Sequence, residues 1–252
     1  MRRVKMKAFS TMLKTELRLS LRGMDMFIFA ICMPVVVMAI IGVMYSARPA
    51  FEGAGYTFLE QSFGAVATIA ICAGGMMGLP LVVSDYRHRK VLRRFKVTPT
   101  SPGMILAVQI AIYAIYSFAS LALVYLVASV FFGYRMNGSW FAFFASYLLV
   151  MASMFSIGML VGGVASNAKT AGIVASLLYF PTMIFSGATL PYESMPVVLQ
   201  KVADFLPLTQ GIKLIKAASL GLSPQSYVTP IAVMAAIAVV CVLLSVKFFK
   251  WE

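Results

Sequence analysis

The sequence predicts an all-α integral membrane protein with six transmembrane helices, and three observations support this prediction. Hydrophobic residues make up 61% of the 252 residues and charged residues only 12%. The mean hydropathy of +0.91 excludes a soluble domain. A spanning helix needs ~20 apolar residues to cross ~30 Å of hydrocarbon. Six stretches qualify, and most charged residues lie between them: Met26 to Tyr45, Gln61 to Val83, Gly103 to Phe132, Trp140 to Ser166, Thr170 to Phe185 and Tyr227 to Val246.

The distribution of basic residues predicts the orientation. With the N-terminus inside the cell, 16 of the 21 Lys and Arg residues lie in cytoplasmic segments and five lie outside, as the positive-inside rule requires. Residues 1–252 are therefore expected to form one domain in the cell membrane, with both termini cytoplasmic. The first span follows no clear cleavage site and is expected to be retained. The net charge of +13 reflects topology and contact with anionic lipid, and no nucleic-acid partner is expected.

Residues 9–24 have the pattern of an amphipathic helix. Lys14, Arg18 and Arg22 form one basic row, and the apolar residues recur on another face with a period of 3.6. Such a helix lies at the membrane interface. We expect an interfacial helix on the cytoplasmic side, with an unstructured basic tail as the alternative. The apolar stripe consists of Phe9, Met12, Leu13, Leu17, Leu21 and Met24.

Small residues mark the second and fourth spans. Gly74-x-x-x-Gly78 and Gly158-x-x-x-Gly162 have the spacing that lets helices approach closely in lipid. We expect these glycines to pack within one subunit rather than at a dimer interface. Glu60, at the start of the second span, is interpreted as an interfacial carboxylate, with a substrate contact as the alternative.

The connection between the second and third spans, residues 84–102, is strongly basic. Val91, Leu92 and Phe95 fall on one side of a short helix, and basic residues such as Arg94 occupy the other sides. Two X-Pro pairs at residues 98–102 end this helix. The pattern predicts a short amphipathic helix on the cytoplasmic side. A solvated positive loop that only sets topology is an equally open alternative.

The third and fourth spans have an uncharged interior. Between Gly103 and Lys169 the only charged residue is Arg135, which falls in the outer turn. Carriers coupled to protons or ions usually place ionisable residues inside the membrane. An apolar or amphipathic cargo fits this interior better than an ion. The acidic outer residues Glu60 and Glu193 are consistent with a cationic group on that cargo.

Residues 186–222 are too interrupted for one helix and too apolar for a free loop. Short re-entrant or interfacial helices on the outer side explain both properties, provided that their backbone is buried against protein. We therefore expect such helices between the fifth and sixth spans. The turn signals are Ser186-Gly187, Pro191, Pro196, Pro207 and Gly221.

The chain lacks the parts of a catalytic or metal site. His88 is the only histidine and lies in the basic connection, so Ser-His-Asp, Cys-His and His-metal arrangements are incomplete. Cys32, Cys72 and Cys241 lie in apolar runs and are expected to act as packing residues. The sequence has no G-x-x-x-x-G-K-[ST] phosphate loop. If transport uses ATP, another chain must hydrolyse it.

Two motifs carry a family resemblance. The first is Arg87 followed by Leu92 and Thr98-Pro99, and the second is SGATLPYESMP (residues 186–196) followed by Pro207-Leu208-Thr209. They resemble the E-R-E-x-G-T-L-x-x-L-x-x-x-P loop and the S-G-x-x-x-P-x-x-x-M-P and P-L-T pattern of ABC-2 type ABC exporter permeases, which include bacterial antibiotic and polysaccharide exporters. The resemblance covers essentially the whole chain. The departures are Tyr86 and His88 for carboxylates, Lys90 for Gly, and Lys213 or Lys216 for Arg.

The resemblance implies partners and a function. Residues 84–97 would be a coupling helix seated in a separate ATP-binding subunit, which would bind ATP and Mg, so that this chain binds no cofactor directly. A second permease copy, identical or a close paralogue, would complete the path for a hydrophobic or amphipathic substrate such as a drug, antibiotic, peptide or lipid-like molecule leaving the cell. The implied coupling residues are Arg87, Val91, Leu92, Arg94 and Phe95. The implied outer re-entrant motif consists of Ser186, Gly187, Pro191, Glu193, Pro196 and Pro207.

Two other function classes remain open at this point. An ATP-independent channel or secondary carrier is the main alternative, and the uncharged interior argues against it. A membrane-embedded enzyme would need an acid–base pair, which one cytoplasmic His and no clustered carboxylates do not provide. We therefore expect a transport subunit without a catalytic site of its own.

Overall fold

The computed structural model describes residues 2–23, 27–51, 53–90, 102–188, 192, 195–223 and 225–249. Within these residues the chain forms nine helices and no strand, when a π-helical turn is counted with the α-helix that continues it. The helices are α1 (Arg2–Gly23), α2 (Ile28–Tyr45), α3 (Phe58–His88), α4 (Pro102–Phe132), α5 (Trp140–Val164), α6 (Ala168–Phe185), α7 (Val197–Asp204), α8 (Pro207–Leu220) and α9 (Gln225–Phe248).

Six of these helices, α2 to α6 and α9, are long and apolar enough to cross a membrane. They coincide with the six predicted spans, so the predicted fold class is confirmed. α3 extends beyond both predicted ends of the second span, and residues 84–88 form its last turns rather than the start of a separate helix. Residues 91–101 lie outside the described residues, so a coupling helix there stays a prediction.

α3 is the central helix of the bundle. In its most apolar window 83% of the residues are buried, compared with 11% in α9. α3 contacts α2, α4, α5, α6 and α8. Lipid-facing and buried side chains are equally apolar in a membrane protein, so hydropathy alone does not reveal which helix lies at the centre.

Glycines set the distance between α3 and α5. A Cβ atom at Gly158 would lie 1.8 Å from the carbonyl oxygen of Gly75, and one at Gly75 would lie 2.9 Å from the carbonyl carbon of Met154. A Cβ atom at Gly162 would lie 2.8 Å from Cβ of Val83. The two backbones therefore touch. Gly74 and Gly78 of the predicted pattern face Tyr113 of α4 instead, so both small-residue patterns pack within one chain, as expected.

Two π-helical turns, Ile28–Cys32 in α2 and Ala73–Gly78 in α3, accommodate prolines. Pro34 and Pro80 each lie in the first turn of the α-helical segment that follows. A proline donates no N–H and its ring meets the carbonyl of residue i−4. The wider π turn relieves this conflict without ending the helix.

α3 begins with a capping box formed by Thr57 and Glu60. The Thr57 hydroxyl accepts the N–H of Glu60 at 3.2 Å, and a Glu60 carboxylate oxygen accepts the N–H of Thr57 at 2.7 Å. The other carboxylate oxygen accepts a bond from the Asn137 amide at 3.4 Å. Glu60 therefore serves as a helix cap, satisfying N–H groups that lack an intrahelical acceptor.

α1 packs along α4, and the predicted amphipathic helix at the N-terminus is confirmed as a helix. Its apolar stripe faces the bundle, where Phe9, Met12, Leu13 and Leu17 are partly buried against the core. The placement of α1 at a membrane interface stays a prediction.

α7 and α8 occupy the predicted outer region. α8 is buried along most of its length and contacts α3, α5 and α9. Its backbone is thus covered by protein, which was the condition for short helices in this region. Their re-entry into a membrane stays a prediction.

We expect Gly158→Ala to lower the thermal stability of the purified protein. The added methyl group would overlap the backbone of Gly75, and overpacking of this kind destabilises a core by ~1–3 kcal/mol or more. Thermal unfolding in detergent measures the effect. Gly103→Ala is the control, because nothing lies within 4 Å of a Cβ atom there. Equal melting temperatures for the two variants would contradict the close packing of α3 and α5.

Candidate functional site

Polar contacts concentrate at two places in this apolar bundle. The first, which we call the inner end, is the end of α3 at His88 together with the parts of α1, α4 and α5 that touch it. The second, the outer cavity, lies at the opposite end between α2, α3, α8 and α9. Among the residues that the structure describes, no group of three or more His, Cys, Asp and Glu side chains is arranged to hold a metal ion.

Arg87 joins the inner end of α3 to α5. Its Nη1 atom donates to the carbonyl oxygens of Gly162 at 3.0 Å and Ala165 at 2.7 Å, where the last carbonyls of α5 lack intrahelical donors. Arg87 is only 8% exposed, and its Cζ atom lies 5.9 Å from the ring centre of Phe249, just after α9. A positive charge is also favoured at a helix C-terminus. Arg87 therefore connects α3, α5 and the end of α9.

Lys90 follows α3 in the left-handed conformation, with a φ of 55°. Its N–H donates to the carbonyl of Arg87 at 2.9 Å. Helices often end with glycine in this conformation, and the ABC-2 type pattern has glycine at this position. A residue with a Cβ atom is less favourable there by ~1–2 kcal/mol.

A polar cluster ties α1 to the inner ends of α3 and α4. The Tyr86 hydroxyl donates to the Glu16 carboxylate at 2.8 Å. The Gln109 amide donates to the same carboxylate oxygen at 3.1 Å and to the Tyr86 hydroxyl at 3.0 Å. Farther along α1, Ser20 accepts a bond from Tyr116 at 2.8 Å. An apolar stripe alone would allow α1 to slide along the bundle. These hydrogen bonds fix its position.

Of the five predicted coupling residues, the structure describes Arg87 only. Arg87 contacts α5, so it is placed to link the basic connection to that helix. A direct contact of Arg87 with a partner subunit stays a prediction. Val91, Leu92, Arg94 and Phe95 lie outside the described residues.

Four residues of the predicted outer motif are described, and all four lie at helix ends. Ser186 follows α6 and is buried, and Gly187 has a φ of 93°, a conformation that favours glycine. Pro196 immediately precedes α7, and Pro207 is the first residue of α8, where the missing N–H of proline is tolerated. Pro191 and Glu193 lie outside the described residues.

The outer cavity has a volume of about 1040 Å³. Apolar side chains from several helices form much of its wall, whereas α8 contributes Thr209, Lys213 and Lys216. These three residues are spaced i, i+4 and i+7, so they share one helix face. Asp204, at the end of α7, is the third charged residue of the described part of the lining.

Lys213 is held at the cavity wall by Asp204 and Tyr192. Its ammonium group forms an ion pair with the Asp204 carboxylate and lies 4.2 Å from the ring centre of Tyr192. The Tyr192 hydroxyl donates to the same carboxylate at 2.9 Å. Burial alone would lower the pKa of Lys213, but its hydrogen bonds and charge interactions with Asp204 and Tyr192 raise that pKa above its usual value. Lys213 is therefore a cation at neutral pH.

Sequence reasoning missed both the outer cavity and the polar cluster. The i, i+4, i+7 spacing of Thr209, Lys213 and Lys216 was a signal for a polar helix face. Glu16 and Gln109 are separated by 93 residues, and no local pattern indicates that they meet.

The ABC-2 type transporter family matches residues 7–220 of the chain. Nodulation protein J from Rhizobium leguminosarum bv. viciae is 35% identical over 94 residues, which are 37% of this chain and 34% of that protein. The inner membrane transport permease YhhJ from Escherichia coli (strain K12) is 30% identical over 99 residues, which are 39% of this chain and 26% of that protein. The matched part thus spans about a third or less of the length of these relatives.

We expect Arg87→Lys to lower the thermal stability of the protein although the charge is kept. A lysine ammonium is a single point donor and does not reproduce the planar guanidinium fork, so a carbonyl of α5 loses its charged donor, a loss of ~1.5–3 kcal/mol. Thermal unfolding in detergent is the measurement. Arg89→Lys is the matched control, since Arg89 is 71% exposed and pairs only within α3 among the described contacts. A similar melting temperature for both variants would mean that the Arg87 bonds contribute nothing.

We expect Lys90→Gly to preserve or raise thermal stability and Lys90→Val to reduce it. Glycine adopts the observed φ without strain, while a β-branched residue is disfavoured there, a difference of ~1 kcal/mol or more. The same unfolding assay measures both variants. Greater stability of Lys90→Val than of Lys90→Gly would show that the left-handed end of α3 is not populated.

Proposed function

The chain belongs to the ABC-2 type transporter family, whose members are membrane components of ABC transporters, and we propose that it is the permease subunit of an ATP-driven exporter. A separate ATP-binding subunit binds and hydrolyses ATP with Mg. The observation that best supports this function is the inner end of α3, where adjacent residues bond to different helices.

The contacts at the inner end are suited to transmit a displacement of α3 to two other helices. Tyr86 bonds to Glu16 of α1, and Arg87 bonds to the last carbonyls of α5. Successive residues of an α-helix point ~100° apart, so one turn of α3 holds two neighbours on different sides. α3 leads directly into the basic connection that we expect to dock on the ATP-binding subunit. A displacement of that connection is thereby passed to α1 and α5 together.

Exposed apolar surface on three spans leaves room for a second permease copy. In the most apolar windows of α2, α6 and α9 only 28%, 22% and 11% of the residues are buried. Lipid covers much of this surface. A second copy, identical or a close paralogue, covers part of the remainder, and the cargo path runs between the two copies.

The cargo is a hydrophobic or amphipathic molecule, such as a drug, antibiotic, peptide or lipid-like compound. Hydroxyl groups inside α5 are occupied by backbone carbonyls: Ser153 donates to Met234 at 2.7 Å, and Ser156 donates to Ser153 at 2.7 Å. These two hydroxyl groups are therefore not available to bind a polar cargo. With both termini in the cytoplasm, the outer cavity faces the outside, and transport runs toward it.

We expect the double variant Leu92→Ala, Phe95→Ala to lose its association with the ATP-binding subunit. Two apolar side chains seated in a groove contribute ~2 to 4 kcal/mol after allowance for incomplete burial, so the dissociation constant should rise ~30- to 1,000-fold. Pull-down of the ATP-binding subunit and ATP-dependent transport are the measurements. Membrane insertion should be unchanged, since both residues lie outside the six spans.

The matched control is the double variant Leu199→Ala, Phe205→Ala. It removes the same side chains from the opposite end of the protein, where they are 37% and 91% exposed. Its pull-down should equal that of the native chain. If the Leu92 and Phe95 variant also kept full pull-down and transport, the basic connection would only set topology, and an ATP-independent channel or carrier would become the better function.

A further inference from the structure

A second cavity, which we call the inner pocket, lies at the inner end between α1, α3, α4 and the start of α6. Its volume is about 440 Å³, within the range of pockets that hold small organic molecules. Its described lining is mixed. The apolar side chains include Leu19, Leu81 and Val82. The polar side chains are Glu16, Ser20, Asp85, Tyr86, Gln109 and Tyr113.

Glu16 contributes a carboxylate without a basic partner. Its Oε2 atom accepts hydrogen bonds from the Tyr86 hydroxyl and the Gln109 amide, which are both neutral. No Lys or Arg of the described residues forms an ion pair with it, whereas Asp85 in the same lining pairs with Arg89 at 2.9 Å. A partly buried charge without a counter-charge is unfavourable. A cation in the inner pocket would compensate it.

The hydrogen-bond donors around Glu16 are already used, whereas acceptors remain. The Gln109 amide nitrogen donates to both Glu16 and Tyr86, and the Tyr86 hydroxyl donates to Glu16. The carbonyl oxygen of Gln109 and the second carboxylate oxygen of Glu16 accept no hydrogen bond from the described residues. Gln109 is only 4% exposed, and buried carbonyl groups are nearly always bonded. A ligand with N–H donors would satisfy both oxygens.

Tyr113 provides an independent indication that the inner pocket holds a ligand. It is 3% exposed, and its hydroxyl has no hydrogen-bond partner among the described residues, although the oxygen is not sealed in the core. A phenolic hydroxyl can accept as well as donate. Tyr113 follows Gln109 by four residues, so both lie on one face of α4. Acceptors from α1 and α4 therefore line the same pocket.

We propose that the inner pocket binds an amphipathic primary ammonium ion, with its head group at Glu16, Gln109 and Tyr113 and its apolar part beside Leu81 and Val82. A primary ammonium has three N–H donors, and these three residues offer one acceptor each. Its hydrogen bond to the carboxylate is charge-assisted and therefore stronger than a neutral one. The inference concerns binding by this chain and goes beyond the proposed export function.

The same lining disfavours two related classes of ligand. An anion would meet the carboxylates of Glu16 and Asp85, and the described lining contains no Lys or Arg. A quaternary ammonium ion has the required charge but no N–H, so it would leave the free acceptors unsatisfied. The inner pocket should therefore select for N–H donors as well as for positive charge.

The test measures binding of radiolabelled dodecylamine, a cation at neutral pH, to the full chain in phosphatidylcholine nanodiscs, with empty nanodiscs subtracted. Three unlabelled competitors are added separately. Dodecyltrimethylammonium keeps the charge and the alkyl chain, dodecyl phosphate keeps only the alkyl chain, and methylammonium keeps only the head group. We expect saturable binding of dodecylamine that none of the three displaces at equal concentration.

Variants assign the binding to the inner pocket. Glu16→Gln should weaken dodecylamine binding about tenfold or more, since the charge-assisted bond is lost, and Tyr113→Phe should weaken it about fivefold, since one neutral hydrogen bond is lost. Tyr116→Phe is the matched control. It removes the bond to Ser20 that also ties α4 to α1, but Tyr116 does not line the inner pocket. Glu60→Gln removes the same charge as Glu16→Gln at the opposite end, and both controls should bind like the native chain.

Native affinity in both Glu16→Gln and Tyr113→Phe would overturn the inference. An equal loss in Tyr116→Phe would also overturn it, because the effect would then come from the position of α1. An equal loss in Glu60→Gln would assign the binding to overall charge. Displacement by methylammonium would remove the role of the apolar part, and displacement by dodecyltrimethylammonium or dodecyl phosphate would contradict the selectivity of the head-group site. If Glu16→Gln does not fold, Tyr113→Phe and the competitors decide the outcome.

Discussion

The structure depends on the backbone contact between α3 and α5 at Gly75 and Gly158. Helices in lipid gain little from the hydrophobic effect when they associate, because lipid tails are as apolar as their side chains. Close van der Waals contact must supply the attraction, and the Gly158 contact leaves no room for a Cβ atom. This contact fixes the register of the two helices, and with it the distance from Arg87 to the end of α5. The Arg87 bonds are therefore a consequence of the glycine packing.

The same helix reaches both candidate sites. α3 carries Tyr86 and Arg87 at its inner end and contributes Phe58 and Gln61 to the outer cavity. Its glycines and its one proline do not interrupt it, because a π-helical turn absorbs the conflict at Pro80. The two candidate sites are thus joined by one continuous helix.

Much of the fold could be predicted from the sequence, because the length of an apolar stretch and the charge at its ends are local properties. The six spans, the N-terminal amphipathic helix and the packing of the glycine patterns within one chain are of this kind. The sequence analysis ended the second span at Val83, because the charges of residues 84–88 indicated a connection. In the structure α3 continues through these residues, since carbonyl oxygens of α5 accept hydrogen bonds from Arg87. Those carbonyls lie 75 and 78 residues away, beyond any local pattern. The Thr57 and Glu60 capping box was local and detectable from its spacing.

The outer cavity required the tertiary structure, since its lining comes from distant segments and the sign of its charge depends on which carboxylates are already used. The predicted outer segments contain both acidic and basic residues. From the sequence alone, the acidic residues Glu60 and Glu193 indicated a cationic cargo. The structure shows that Glu60 is committed to a helix end, while the lysines of α8 face the cavity. The third and fourth spans contain no charged residue, so their interior imposes little electrostatic selection. The charged residues of the described cavity lining, Asp204, Lys213 and Lys216, come from two helices, and no local sequence pattern indicates that they share one cavity.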